Sequence, residues 1–190
     1  MTDRMTHNKF FLMLLIGFSF LVRLLFFNTF LRDNPVQLAF DSGHYHAVAV
    51  NVANGKGFMN ADGSPHFYRL PGYPLFLAGC YKLFGVQPER ALWVQLVLAS
   101  LIPLLVFVLS LVLLNSLWVS RAAAIISCVQ PGFILYAGML LTESLAALLL
   151  LLFFIFFFHR RATWHLFAAG IFLGLASLVR PVGHYVLVLA

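Results

Sequence analysis

Charge is what this sequence has least of. Only 9% of its 190 residues are charged, against roughly 25% in a soluble domain. With 62% hydrophobic residues and a mean hydropathy of +0.95, the composition is that of an integral membrane protein. The scarcity excludes other classes too. No Lys/Arg cluster tracks a phosphate backbone, so nucleic acid is not an expected partner. The formal net charge of +6 bears instead on membrane topology and anionic lipid. Cysteine is equally sparse. Cys80 and Cys128 lie far apart among apolar neighbours and read as free, buried thiols. GxGxxG, Walker, Asp-x-Asp, HExxH and GxSxG patterns are all missing, which argues against nucleotide-dependent chemistry.

What is present begins with a long apolar run. Phe10 to Leu31 gives 22 residues, about 33 Å of helix and enough to cross a bilayer. Arg4 and Lys9 precede it, no small-residue cleavage site follows, and an uncleaved anchor with a cytoplasmic N-terminus is expected. Arg23 lies within this span, about 13 Å short of Arg32 along the helix. It either snorkels to the outer interface or faces the bundle interior toward a carboxylate or phosphate. Four further spans are expected, which makes about five transmembrane helices in an all-α membrane domain. They cover Leu92–Leu114, Arg121 to Pro131-Gly132, a stretch from near Leu140 that includes Leu145–Phe158, and Trp164–Val179. Gly170 and Gly174 in the last of these form a GxxxG, read as a helix-packing surface. Counting crossings puts Arg121 and Arg160-Arg161 inside, as the positive-inside rule requires.

Between the first two spans lies a polar insert, Arg32 to Tyr73, which holds Asp33, Asp41 and Asp62. By the same count, residues 32–73 lie outside, and Asp41, Arg69, Glu143 and Arg180 gather on that side. Asp41–Ala53 is expected to form an amphipathic surface helix with Asp41, His44, Tyr45, Val48 and Val52 on one face. A turn is expected at Ala61–Pro65 and a helix start at or after Pro74. Pro74–Phe84 is too short to span, carries Lys82, and is expected outside or at the interface.

Asp41 is the leading candidate for chemistry. It could cap the surface helix or act as a general base toward a hydroxyl. Arg69 is its natural cationic partner, since a guanidinium binds phosphate bidentately. Glu143, beside Thr142, opens the fourth span as a helix cap or a site carboxylate. Arg180, before Pro181, is a second candidate phosphate ligand. A divalent metal held by Asp41 and His44 with His66 or Asp62 is a weaker alternative, because His46 would point away from the Asp41–His44 face. No metal or other cofactor is expected.

Together these short motifs resemble the N-terminal part of the GT-C membrane glycosyltransferases. The matching residues are Asp41-Ser42-x-x-Tyr45, Arg69-x-Pro71-Gly72-Tyr73-Pro74 and Thr142-Glu143, after a first span. The nearest types are bacterial relatives of protein O-mannosyltransferases and the lipid A aminoarabinose transferase. The resemblance implies a polyprenyl-phosphate-linked sugar as donor and a hydroxyl on lipid, glycan or protein as acceptor. Transfer would take place on the outer face of a bacterial inner membrane. It implies Asp41 as catalytic residue and Arg69 at the donor phosphate, with Tyr45 and Tyr73 among the accompanying site positions. Many relatives carry Asp-Glu where this chain has Asp41-Ser42. Family members run to several hundred residues, so residues 1–190 are expected to be the N-terminal part of a longer membrane domain. An inactive remnant and a non-enzymatic scaffold or transporter component are the competing readings. A transporter would carry repeats and midplane polar residues, and neither is evident.

Overall fold

A computed structural model describes residues 2–31, 41–159 and 162–181. Arg32, Asp33, Arg160, Arg161 and the segment from Val182 to Ala190 lie outside the described residues, as does the side chain of Arg4. All regular structure among the described residues is helical, apart from one isolated bridge between Met59 and Pro65. The helices are α1 (Thr2–Phe26, continued by a π turn Phe27–Leu31), α2 (Asp41–Ala53), α3 (Gly72–Phe84), α4 (Pro88–Ser100) and α5 (Ile102–Leu114). After these come α6 (Leu117–Val129), α7 (Pro131–Leu135, then a 3-10 turn Tyr136–Gly138), α8 (Glu143–Phe158) and α9 (Thr163–Val179).

Proline and asparagine set the breaks. Pro88 opens α4 where a missing N–H costs nothing. Pro103 lies just inside α5, and the chain tightens at Leu101 without losing its course, so Pro88–Leu114 passes as one 27-residue span. Asn115 stops α5 with a left-handed φ of 47°, a conformation its short polar side chain tolerates. The two-residue link Asn115-Ser116 then folds α6 back beside α5. Pro131 cannot continue α6, and the axis bends by 55° into α7. Gln130 closes the new helix start, its Oε1 accepting from the Phe133 N–H at 2.7 Å.

Among the described residues two helices are long and apolar enough to cross a membrane, Lys9–Phe30 and Pro88–Leu114, or three if the bent pair α6–α7 forms one span. The apolar helices α8 and α9 have 16 and 17 residues, about 24 and 26 Å against the roughly 30 Å of a hydrocarbon core. Counting apolar residues overstated the length of α8, because Leu140–Thr142 precede it as an irregular turn, whereas α9 matches its expected span to within a residue.

The main core joins α2, α3, α4, α8 and α9 through Tyr45, Ala49, Tyr73, Leu77, Leu96, Leu148 and Val179. At its centre is one polar side chain, Gln95, which is 2% exposed. Tyr73 OH donates to Gln95 Oε1 at 2.7 Å, while Gln95 Nε2 donates to the carbonyls of Tyr136, Ala137 and Met139 at 3.1, 3.1 and 2.6 Å. The carbonyls of the 3-10 turn and of Met139 after it thus find a partner in a side chain of α4.

Two sequence expectations change here, and one open alternative, that of Arg23, is decided. Helix α3 begins at Gly72 rather than Pro74. Arg23 faces the interior and does not snorkel; it is fully buried and bonded to Ser19. Gly170 and Gly174 make no packing contact among the described residues: both are exposed, and a Cβ at either would meet nothing there within 4 Å. The face of α9 turned to α8 carries Ala169 and Leu173 instead.

Candidate active site

Four charged side chains come from four helix ends. Asp41 is the first residue of α2, Glu143 the first of α8, Arg69 precedes α3 by three residues, and Arg180 follows α9 directly. The two carboxylates lie at positive N-termini and Arg180 at a negative C-terminus, so these three charges are favoured where they stand. Arg69 Nη2 donates to Asp41 Oδ1, and Arg180 Nη1 pairs with Glu143 Oε1 at 2.8 Å. All four line one cavity of about 220 Å³, together with Tyr45 and Thr142.

Gly72 brings the two halves of this site together. A Cβ there would stand 2.7 Å from the Leu178 carbonyl carbon and oxygen and 2.9 Å from Val179 Cγ2. Only glycine lets the start of α3, with Arg69 just before it, lie against the end of α9, with Arg180 just after it.

Tyr45 lies one helical turn from Asp41 on the same face. It is buried, its ring 5.7 Å from the Arg69 guanidinium and edge-on to Tyr73 at 5.1 Å. Burial pushes its hydroxyl pKa up, with Arg69 opposing the shift and Asp41 and Glu143 adding to it. The group is therefore a protonated O–H donor at neutral pH.

A larger cavity of about 590 Å³ adjoins, and Tyr68 and Arg69 line both. Its other polar walls are His44, Asn60, Asp62 and His66. The loop that carries them is locked by its own bonds. Asn51 Nδ2 donates to the Met59 and Asn60 carbonyls, Asn60 Nδ2 to Ser64 Oγ, and Ser64 N–H and O–H both to Asp62 Oδ1. His66 Nδ1 donates to Asn60 Oδ1 at 2.7 Å, and its Nε2 has no partner among the described residues. A third cavity, about 220 Å³, lies beyond Glu143 between α7 and α8 and is walled by Phe133, Tyr136 and Ser144.

Of the sequence-derived candidates, the structure brings together Asp41, Tyr45, Arg69, Glu143 and Arg180. His44 is exposed on another face of α2 and lines the larger cavity. Tyr73 lies wholly buried beneath the site and supports Tyr45 from below. Asp41 is committed to Arg69, while Thr142 opens α8 without a side-chain cap bond. The metal alternative does not assemble: among the described residues no three of His, Cys, Asp and Glu converge. His46 shares a hydrogen bond with Tyr81 OH at 2.8 Å, and His66 and Asp62 serve their own loop. Gln95 and Tyr68 had escaped sequence reasoning. A lone carboxamide in the apolar run from Leu92 was a readable signal for the first; nothing marked the second. No family model, curated protein or solved structure matches this chain.

Proposed function

We propose that the chain carries the phosphate-handling and proton-accepting part of a membrane glycosyltransferase of the GT-C type. The observation that supports the reading is the single cavity lined by two arginines, two carboxylates and Tyr45. In the proposed reaction a polyprenyl-phosphate-linked sugar binds with its phosphate toward Arg69 and Arg180. An acceptor hydroxyl on a lipid, glycan or protein attacks the anomeric carbon. The bond from that carbon to the phosphate oxygen breaks as the new glycosidic bond forms, and the hydroxyl proton passes to Asp41. The arginines and the Tyr45 O–H stabilise the departing polyprenyl phosphate by charge-assisted hydrogen bonds. The larger cavity has the size of a small-ligand site, and its amide, carboxylate, imidazole and phenol groups suit sugar hydroxyls.

In this proposal α8 and α9 complete a five-crossing arrangement as short spans. The N-terminus is cytoplasmic, and α2 with the loop to Gly72 lies on the outer face of a bacterial inner membrane. The test is release of polyprenyl phosphate by membranes that contain the chain, with a polyprenyl-phosphate-linked sugar supplied and candidate acceptors varied. Asp41→Asn is expected to lower turnover by roughly 10²- to 10⁴-fold with membrane insertion intact. Near wild-type turnover by that variant removes Asp41 as the base.

A further inference from the structure

Both arginines of the cavity are already engaged, and so is the carboxylate that must act as base. Asp41 holds Arg69, Glu143 holds Arg180, and the four charges sum to zero. Such a cavity attracts no anion by net charge. A phosphoryl anion entering it would meet two carboxylates at close range, where like charges repel strongly outside bulk water. The ion pairs are also accessible: the side chains of Arg69 and Asp41 are 37% and 43% exposed, and those of Arg180 and Glu143 are 40% and 28% exposed. Exposed pairs of this kind are weakly held.

We infer that Asp41 and Glu143 occupy the arginines in place of a phosphoryl anion, and that binding of the anion exchanges partners and releases Asp41 to accept a proton. The inference rests on the reading of Asp41 as base and adds an order of events to it. The arginines turn from carboxylate to phosphate, for which their planar forks are equally suited. Glu143, freed from Arg180, has the third cavity beside it. Asp41, freed from Arg69, is left with its full charge beside the Tyr45 hydroxyl. Before the anion arrives the base is masked by its own cation, so the acceptor cannot be activated without a donor in place. No bond is made or broken in this step; only ion pairs are exchanged.

The exchange predicts an unusual sign. Removing a carboxylate that competes for the arginines must tighten anion binding, whereas removing one that only positions them must weaken it. The measurement is the affinity of the purified chain in phosphatidylcholine nanodiscs for inorganic phosphate and for farnesyl phosphate, by calorimetry. Asp41→Asn and Glu143→Gln are each expected to bind about two- to fivefold more tightly than wild type. Arg69→Ala and Arg180→Ala are expected to bind roughly tenfold more weakly, or worse. Tightening with both ligands assigns the phosphoryl group alone as the exchanging anion. Tightening with farnesyl phosphate only places that anion on a lipid, and both results support the exchange.

Unchanged or weakened binding in the two carboxylate variants overturns it, as does failure of wild type and variants to bind either ligand. A readout on the unaltered chain guards against misfolded variants. Farnesyl phosphate should shift the carboxylate stretch in the infrared difference spectrum of wild type, and a silent carboxylate region contradicts the exchange. The two proposals fail separately. Tightened binding without sugar transfer leaves the exchange standing and removes the transferase; transfer with weakened binding in Asp41→Asn does the reverse.

Discussion

Two kinds of arginine stand in this molecule, and their surroundings differ in the one respect that matters. Arg69 and Arg180 are part-exposed at helix ends, and each holds a carboxylate. Arg23 is fully buried in the first span. Its Nη1 reaches Ser19 Oγ at 2.6 Å and the Ser19 carbonyl at 3.0 Å, while its Nε and Nη2 find no partner among the described residues. At the cavity a charge is compensated by groups that can be traded for a ligand. Within the span, among the described residues, it is met by neutral oxygens of its own helix, which offer no charge to trade. The cavity arginines are placed for exchange, and Arg23 is placed at a cost to stability.

The comparison breaks most sharply at Arg69. Arg69→Ala should lower transfer by about 10²- to 10³-fold, the scale for removing one group that stabilises developing negative charge. The loss should appear with limiting donor and be small with limiting acceptor; equal losses on both would point to collapse of the loop instead. Next is Gly72→Ala, which places a methyl against the α9 backbone and should cost about 1–3 kcal/mol. Its lowered thermal midpoint should come with weaker pairing of Arg180 to Glu143; an unchanged midpoint would show that the α3–α9 approach does not position the site. Arg23→Met tests the other arm of the contrast. Replacing an uncompensated buried charge with an apolar chain of similar length should leave stability unchanged or raise it by about 1–2 kcal/mol. A fall in midpoint would mean that Arg23 has an acidic partner and that the two kinds of arginine are one.

The smallest effect is a pH dependence that arises beside the charged cavity and not from it. Burial depresses the pKa of His46 from 6.5, and burial, with His44 and Arg69, depresses that of His66. The folded chain holds both imidazoles neutral, and the unfolded chain begins to protonate them near pH 6.5. Their contribution to stability is therefore complete above that pH and is lost as pH falls through the depressed values. The midpoint should drop on acidification below about pH 6.5, and His46→Gln should flatten part of the drop. A parallel drop in that variant would assign the titration elsewhere.

How much of this was legible follows from what each signal depends on. Helix α2 was readable to its ends, Asp41 and Ala53, because turn residues bound it on the C-terminal side and its apolar positions recur at helical spacing. Its buried face was only half readable. Of the residues expected on one face, Tyr45 and Val48 are buried; Ser42 and Ala49, which that spacing did not include, are buried with them. The meeting of Asp41, Arg69, Glu143 and Arg180 followed from counting crossings, which needs only hydropathy and charge. Of the pairings within the four, Asp41 with Arg69 was read from the sequence and Arg180 with Glu143 was not, because the second needs the ends of α8 and α9 to meet in space. Helix lengths were overread at α8, where apolar residues continue through a turn that hydropathy cannot distinguish from helix.

The bond from Gln95 to the Tyr136–Met139 carbonyls also sets an order of assembly. A chain made from its N-terminus has α3 and α4 in hand, with Tyr73 already able to orient the Gln95 amide, before residue 136 exists. The later segment then docks onto a waiting template, and only afterwards can Glu143 take its place at the head of α8. Arg180 arrives last of all. The lining of the four-charge cavity runs from Asp41 to Pro181, so the cavity can close only once α9 has been made.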